Sequence, residues 1–130
     1  MSERADMRSP LGRAIGLGSA KEGVAHWWAQ RLTAVALIVL TLWFCASLVA
    51  LVGAPRPDVV RWLGEPLPAI LMLLLLIVGF YHMALGVQVV IEDYVANAWL
   101  RMAALVLNRF AAAVLAAAAI YAELRIALGV

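Results

Sequence analysis

The 130-residue chain is 66% hydrophobic and only 14% charged, with a strongly positive mean hydropathy. An ordinary soluble domain carries charge on near a quarter of its residues, so this balance excludes one. The net charge of +2 falls on the flanks of apolar runs, which leaves no basic patch for nucleic acid, and the single Cys45 rules out an intrachain disulfide.

Residues 1–25 read as a polar tail in which Arg4, Arg8, Arg13 and Lys21 mix with Glu3, Asp6 and Glu22. The apolar sequence starts too late for a cleavable signal peptide, and the acids argue against an organellar transit sequence. The tail is therefore expected to be mature protein, preceding a membrane domain over residues 26–130. Leu32 to Val52 carries no charge and predicts a first span at about 30–52, since roughly 20 apolar residues at about 1.5 Å each cross a 30 Å hydrocarbon core.

From Gly53 to Pro66 the chain is punctuated by Gly53, Pro55, Pro57, Gly64 and Pro66, which predicts a loop. Leu67 to Ile91 is interrupted only by His82 and predicts a second span over 67–91. A third, over 103–128, is broken by Arg109, Glu123 and Arg125. Arg109 and Glu123 are 14 residues apart, about 21 Å of helix, so both are expected to reach outward to the membrane surfaces. Its alanines, Ala111 to Ala113 and Ala116 to Ala119, would let backbones approach closely, or serve only as apolar helix formers.

The placement of lysine and arginine sets the expected topology. Arg4, Arg8, Arg13, Lys21 and Arg31 precede or open the first span, Arg101 and Arg109 follow the second, and the first loop holds only Arg56 and Arg61. By the positive-inside rule the N-terminus is cytoplasmic and the C-terminus periplasmic. The fold class is thus an all-α membrane protein with three transmembrane helices. Three helices enclose little space, so they are expected to form part of a larger helical bundle with a partner.

The chemistry-bearing stretch is His82-Met83-Ala84-Leu85-Gly86-Val87-Gln88-Val89-Val90-Ile91-Glu92-Asp93-Tyr94. An ionisable ring inside a span is costly and ordinarily faces a protein interior. His82 is either a packing group donating to a neighbouring helix or an axial ligand of a flat macrocycle, for which Gly86 on the same helical face would leave bare backbone. Asp93 lies eleven residues after His82 and so returns to nearly the same face, about 16 Å nearer the surface. Asp93 and Tyr94 are either a polar helix end with an interfacial tyrosine or groups for a quinone head group, where a phenol donates to a carbonyl and an acid relays protons.

Glu92, about 100° round the helix, is expected to face water. Arg31, within His26-Trp27-Trp28-Ala29-Gln30-Arg31, is either a membrane-surface anchor or a cation for a haem propionate or quinone oxygen at the level of Asp93 and Tyr94. His26 could serve in the same way. Gln88, Asn108, Thr33, Thr41 and Ser47 are expected to hydrogen-bond between helices.

Two motifs, Gly23 to Ala34 (GVAHWWAQRLTA) and His82 to Val95 (HMALGVQVVIEDYV), together resemble the smaller, hydrophobic membrane-anchor subunit of succinate dehydrogenase, respiratory complex II. The second matches that family's H-x3-G-x6-D-Y signature, and the resemblance covers nearly the whole chain. It implies that His82 is one axial ligand of haem b, with the other histidine supplied by a second cytochrome b anchor subunit. It implies further that Tyr94 contacts ubiquinone with Asp93 beside it, and that Arg31 lies at the haem propionates or quinone pocket.

FAD and the iron-sulfur clusters would belong to the flavoprotein and iron-sulfur subunits. The implied location is a bacterial inner membrane. Arg109 has no counterpart in the pattern. The alternatives are the anchor of a quinol:fumarate reductase, or a structural assembly or transporter subunit in which His82 only packs.

Overall fold

The computed structural model describes residues 21–129, and these are all-helical, without a strand. Four helices follow one another: α1 (Lys21–Ala50), α2 (Arg56–Leu63), α3 (Pro66–Tyr94) and α4 (Ala98–Leu128). Helices α1, α3 and α4 contain 30, 29 and 31 residues. Each is about 45 Å long and apolar enough to cross a membrane. All three expected spans are present, and each helix is longer than its span, so its ends pass beyond a hydrocarbon core of roughly 30 Å. Helix α1 starts at Lys21, inside the polar segment; Arg4, Arg8, Arg13 and the rest of residues 1–20 lie outside the described residues.

Helix α1 unwinds at Gly53, whose φ of +79° is open to glycine at no steric cost. The segment expected as a plain loop then makes a further helix. Extended Pro55 leads into α2, with proline again in the first turn, Asp58 near the N-terminus and Arg61 in the last turn. Those charges complement the helix dipole and pair with each other. Trp62 of α2 stacks on Trp43 of α1, with ring centroids 5.9 Å apart and planes 22° from parallel, which ties the short helix to the end of the first span.

Helix α3 opens on Pro66, whose missing N–H costs nothing in a first turn. Three residues, 95–97, join it to α4. The turn is fixed by Asn97, whose side-chain oxygen accepts from the amides of Trp99 at 3.0 Å and Leu100 at 3.1 Å. Helix α3 is the centre of the arrangement: it packs against α1 on one side and α4 on another, while among the described residues the backbones of α1 and α4 do not come close to each other.

The antiparallel α1–α3 contact runs past two glycines of α3, with room at each for an ordinary contact. A side chain on Gly79 would meet Leu37, and one on Gly86 would meet Gln30. Small residues at such crossings let membrane helices approach without a hydrophobic driving force. The described residues bury little else: Leu40, Pro68, Ala69 and Ala112 form the core, and most large apolar side chains face outward. Lipid or partner helices must cover them.

Glu123 departs from expectation. It does not reach outward but is only 6% exposed, and its Oε1 has no hydrogen-bond partner among the described residues.

Candidate functional site

His82 sits 12 residues before the end of α3 and 16 after its start, about 18 and 24 Å from the two ends, well inside the span. The helix turns it toward α1, where it is half-buried. Its Nδ1 lies 2.8 Å from Thr33 Oγ1, and its Nε2 lies 3.4 Å from the side-chain nitrogen of Gln30. Thr33 in turn donates its hydroxyl to the carbonyl of Ala29 at 2.7 Å. The Thr33 hydroxyl has one proton for the carbonyls of Ala29 and Gln30 and for Nδ1, and where it goes decides which ring nitrogen of His82 carries the hydrogen. Gln30 holds its own position weakly, since its Oε1 is buried without a partner.

Gln30 also occupies the space beside Gly86: its nitrogen is 3.7 Å from where a Cβ would stand. The bare backbone expected there is present, with a side chain from α1 laid across it. Thr33 makes the interhelical bond expected of it, and so does Asn108, which donates to Ala84 on α3. Ser47 and Gln88 instead bond within their own helices, to Trp43 and Glu92. Thr41 forms no side-chain hydrogen bond among the described residues.

At the end of α3, Tyr94 is the last helical residue and is 84% exposed. Asp93 beside it is exposed, and neither side chain forms a hydrogen bond or ion pair among the described residues. A helix C-terminus carries partial negative charge, so Glu92 and Asp93 are placed against the dipole there, with no basic residue in the last turn to offset them. Glu92 is held by Gln88 at 2.8 Å. Asp93 has no such support, and folding gives no reason for its charge.

Arg31 is exposed, with its guanidinium 5.1 Å from the centre of the Trp27 ring. Trp27 meets Trp28 edge-on at 5.0 Å. The arginine is thus fixed on α1 by its own neighbour at i−4, and it is not level with Asp93 and Tyr94 as expected: the register that sets Gln30 beside Gly86 and Thr33 beside His82 places it at the height of Leu85.

Because α1 and α4 stand apart, a cleft opens over α3 between them. Its apolar part, about 470 Å³, is lined by Ile77, Phe80, Leu85 and the alanines 112, 113 and 116. A more polar part, about 360 Å³, reaches α1 at His26 and Ala29, and both share Tyr81, Leu85, Gln88 and Arg109. Arg109 therefore lines an intramembrane cleft. His26 Nε2 is buried without a partner.

Among the described residues no three of His, Cys, Asp and Glu gather as a metal cluster. Gln30 was not among the expected site residues. The available signal is the i, i+4, i+7 spacing of His26, Gln30 and Thr33, a polar stripe on the inner face of an apolar helix.

Residues 5–122 match the family model described as succinate dehydrogenase/fumarate reductase transmembrane subunit. The chain is 37% identical over 121 residues to a succinate dehydrogenase hydrophobic membrane anchor subunit from Paracoccus denitrificans, covering 93% of each chain. It is also 37% identical over 91 residues to the subunit of that name from Rickettsia bellii, covering 70% of this chain and 73% of that one. A succinate dehydrogenase membrane anchor subunit from Reclinomonas americana is 28% identical over 92 residues, 68% of this chain and 77% of the relative. No solved structure matches the chain. With three helices able to span a membrane and a family match over most of its length, this multi-pass membrane protein belongs to the succinate dehydrogenase/fumarate reductase transmembrane subunit family.

Proposed function

We propose that this subunit anchors a flavoprotein and an iron-sulfur subunit to a bacterial inner membrane, co-ligates haem b with a second anchor subunit, and forms part of the ubiquinone-reduction site. The observation that carries this is the placement of His82: an imidazole deep in a span, with Nδ1 beside the Thr33 hydroxyl and Nε2 covered only by the Gln30 amide. Neutral Nε2 is the form in which histidine ligates iron.

The residues fit a haem on further grounds. Gly86 has no side chain, and Gln30, the group lying across it, can swing away at the loss of one 3.4 Å contact. Bound there and held by His82, the haem would supply a one-electron carrier. The second histidine comes from the partner anchor. FAD and the iron-sulfur clusters reside in the soluble subunits, which deliver the electrons taken from succinate.

Ubiquinone is the substrate at the Asp93–Tyr94 end, which faces the cytoplasm in this assignment. Its reduction takes two electrons and two protons. The exposed Tyr94 hydroxyl donates a hydrogen bond to a quinone carbonyl, and Asp93, a carboxylate unsupported by its own helix, passes protons in from water. Arg31, held over Trp27 ten residues into α1 and next to Gln30, presents a fixed cation for a haem propionate or a quinone oxygen.

The test is a reduced-minus-oxidised spectrum of the purified complex carrying His82→Ala. Loss or gross alteration of the haem b signal is expected, with flavoprotein and iron-sulfur subunits still co-purifying. An unchanged signal overturns the assignment of His82.

A further inference from the structure

We propose that Thr33 is a positioning residue for His82: through Nδ1 it fixes the tautomer and ring angle of the imidazole and strengthens Nε2 as an iron donor. The proposal rests on His82 as the axial ligand and adds the group that prepares it.

Three features of the geometry support it. Thr33 has one hydroxyl proton and three acceptors in reach: the carbonyl of Ala29 at 2.7 Å, that of Gln30 at 3.2 Å and His82 Nδ1 at 2.8 Å. A threonine inside a helix ordinarily donates back to the carbonyl four residues earlier, and here that is the shortest contact. The oxygen lone pairs are then left for Nδ1–H. If the proton went to Nδ1 instead, Nε2 would carry the ring hydrogen and face the Gln30 NH2 group at 3.4 Å, donor against donor.

The two nitrogens of His82 also have unequal partners. Thr33 is β-branched, and its hydroxyl is anchored to the main chain of α1, so it cannot leave without breaking a bond. Gln30 is long, and its Oε1 is bonded to nothing. One partner is built to stay while the other can yield.

The bond also lies half-buried within two spans, where water competes little and a hydrogen bond acts at lower dielectric. Donation from Nδ1–H raises the basicity of the opposite nitrogen, and such outer partners typically change metal affinity about 10–100-fold, a range known from general ligand chemistry. A more basic imidazole favours ferric over ferrous iron. The Thr33 bond therefore lowers the haem midpoint potential.

The experiment uses the complete complex with Thr33→Val, which keeps the shape and loses the hydroxyl, Thr33→Ser, which keeps the hydroxyl, and His82→Ala. Haem per flavin is measured, together with a redox titration of the haem absorbance and the ferric EPR spectrum. Thr33→Val is expected to lose haem more readily, to titrate at a more positive potential and to show altered EPR anisotropy, while Thr33→Ser stays near the native values. Thr33→Ala is measured in parallel, so that poor assembly of the valine variant leaves the readout available. Native potential, spectrum and haem content in the hydroxyl-free variants overturn the positioning role. A native haem signal in His82→Ala overturns the ligand assignment instead, so the two failures are distinguishable.

Discussion

Asn108 on α4 donates its side-chain amide to the main-chain carbonyl of Ala84 on α3, at 2.9 Å. The bond fixes the antiparallel register of the two helices about 15 Å from the turn that joins them. Moving on from Asn108 to Glu123 along α4 and back from Ala84 to Ala69 along α3 covers the same length of helix, which brings Glu123 level with Ala69, and both are buried. The same register walls one side of the cleft with Ala112, Ala113 and Ala116.

Asn108→Ala is accordingly expected to weaken α3–α4 packing by about 1 kcal/mol, within the range measured for side-chain hydrogen bonds between membrane helices. The complex should assemble with its haem spectrum intact and dissociate at lower temperature in mild detergent. A native dissociation temperature would show that the alanine contacts alone hold the register.

Tyr94 projects from the end of α3 and bonds to nothing in the described chain, so its hydroxyl can be removed without disturbing the fold. Tyr94→Phe is expected to reduce succinate-to-ubiquinone turnover roughly tenfold, the loss of one hydrogen bond of about 1.4 kcal/mol in the transition state. Succinate oxidation with an artificial acceptor should be unchanged. Equal loss of both activities would point to failed assembly and away from a quinone contact.

The three spans were legible in the sequence because length and absence of charge alone decide whether a helix can cross a bilayer. The axial level of His82, Asp93 and Tyr94 was legible for the same reason: rise per residue is fixed. What sequence could not supply was the contact across helices. Gly86 reads as an open notch until Gln30 of α1 is seen lying over it, and Arg31 reads as level with Tyr94, although the register that sets Gln30 against Gly86 and Thr33 against His82 puts it level with Leu85 instead. Helix α2 was hidden because its prolines sit before and within the first turn, where proline starts a helix as readily as it marks a loop.

Glu123 differs for a related reason: a charge in a span reads as reaching the surface, and the sequence does not show the packing that buries it. Its buried Oε1 lacks a partner, and a buried polar atom left unsatisfied costs about 1–3 kcal/mol. Glu123→Met, similar in volume and apolar, is therefore expected to leave assembly intact and to raise the dissociation temperature of the complex. A destabilised methionine variant would mean that the carboxyl is satisfied in the assembled complex by a group from another subunit.

Gly86 separates helix packing from haem binding most directly. In the chain by itself an added Cβ would stand 3.7 Å from the Gln30 side-chain nitrogen, an ordinary contact, so Gly86→Ala should leave α1 and α3 packed as before. If the edge of a macrocycle takes the place of Gln30, the same methyl projects into it, one turn of helix from the ligand nitrogen. Gly86→Ala is then expected to yield a normally assembled complex with reduced haem per flavin. Adding Gln30→Ala should not restore the haem, because the obstruction is the new methyl and not the glutamine. Full haem occupancy in Gly86→Ala would instead assign the glycine to α1–α3 packing and place the porphyrin on another side of His82.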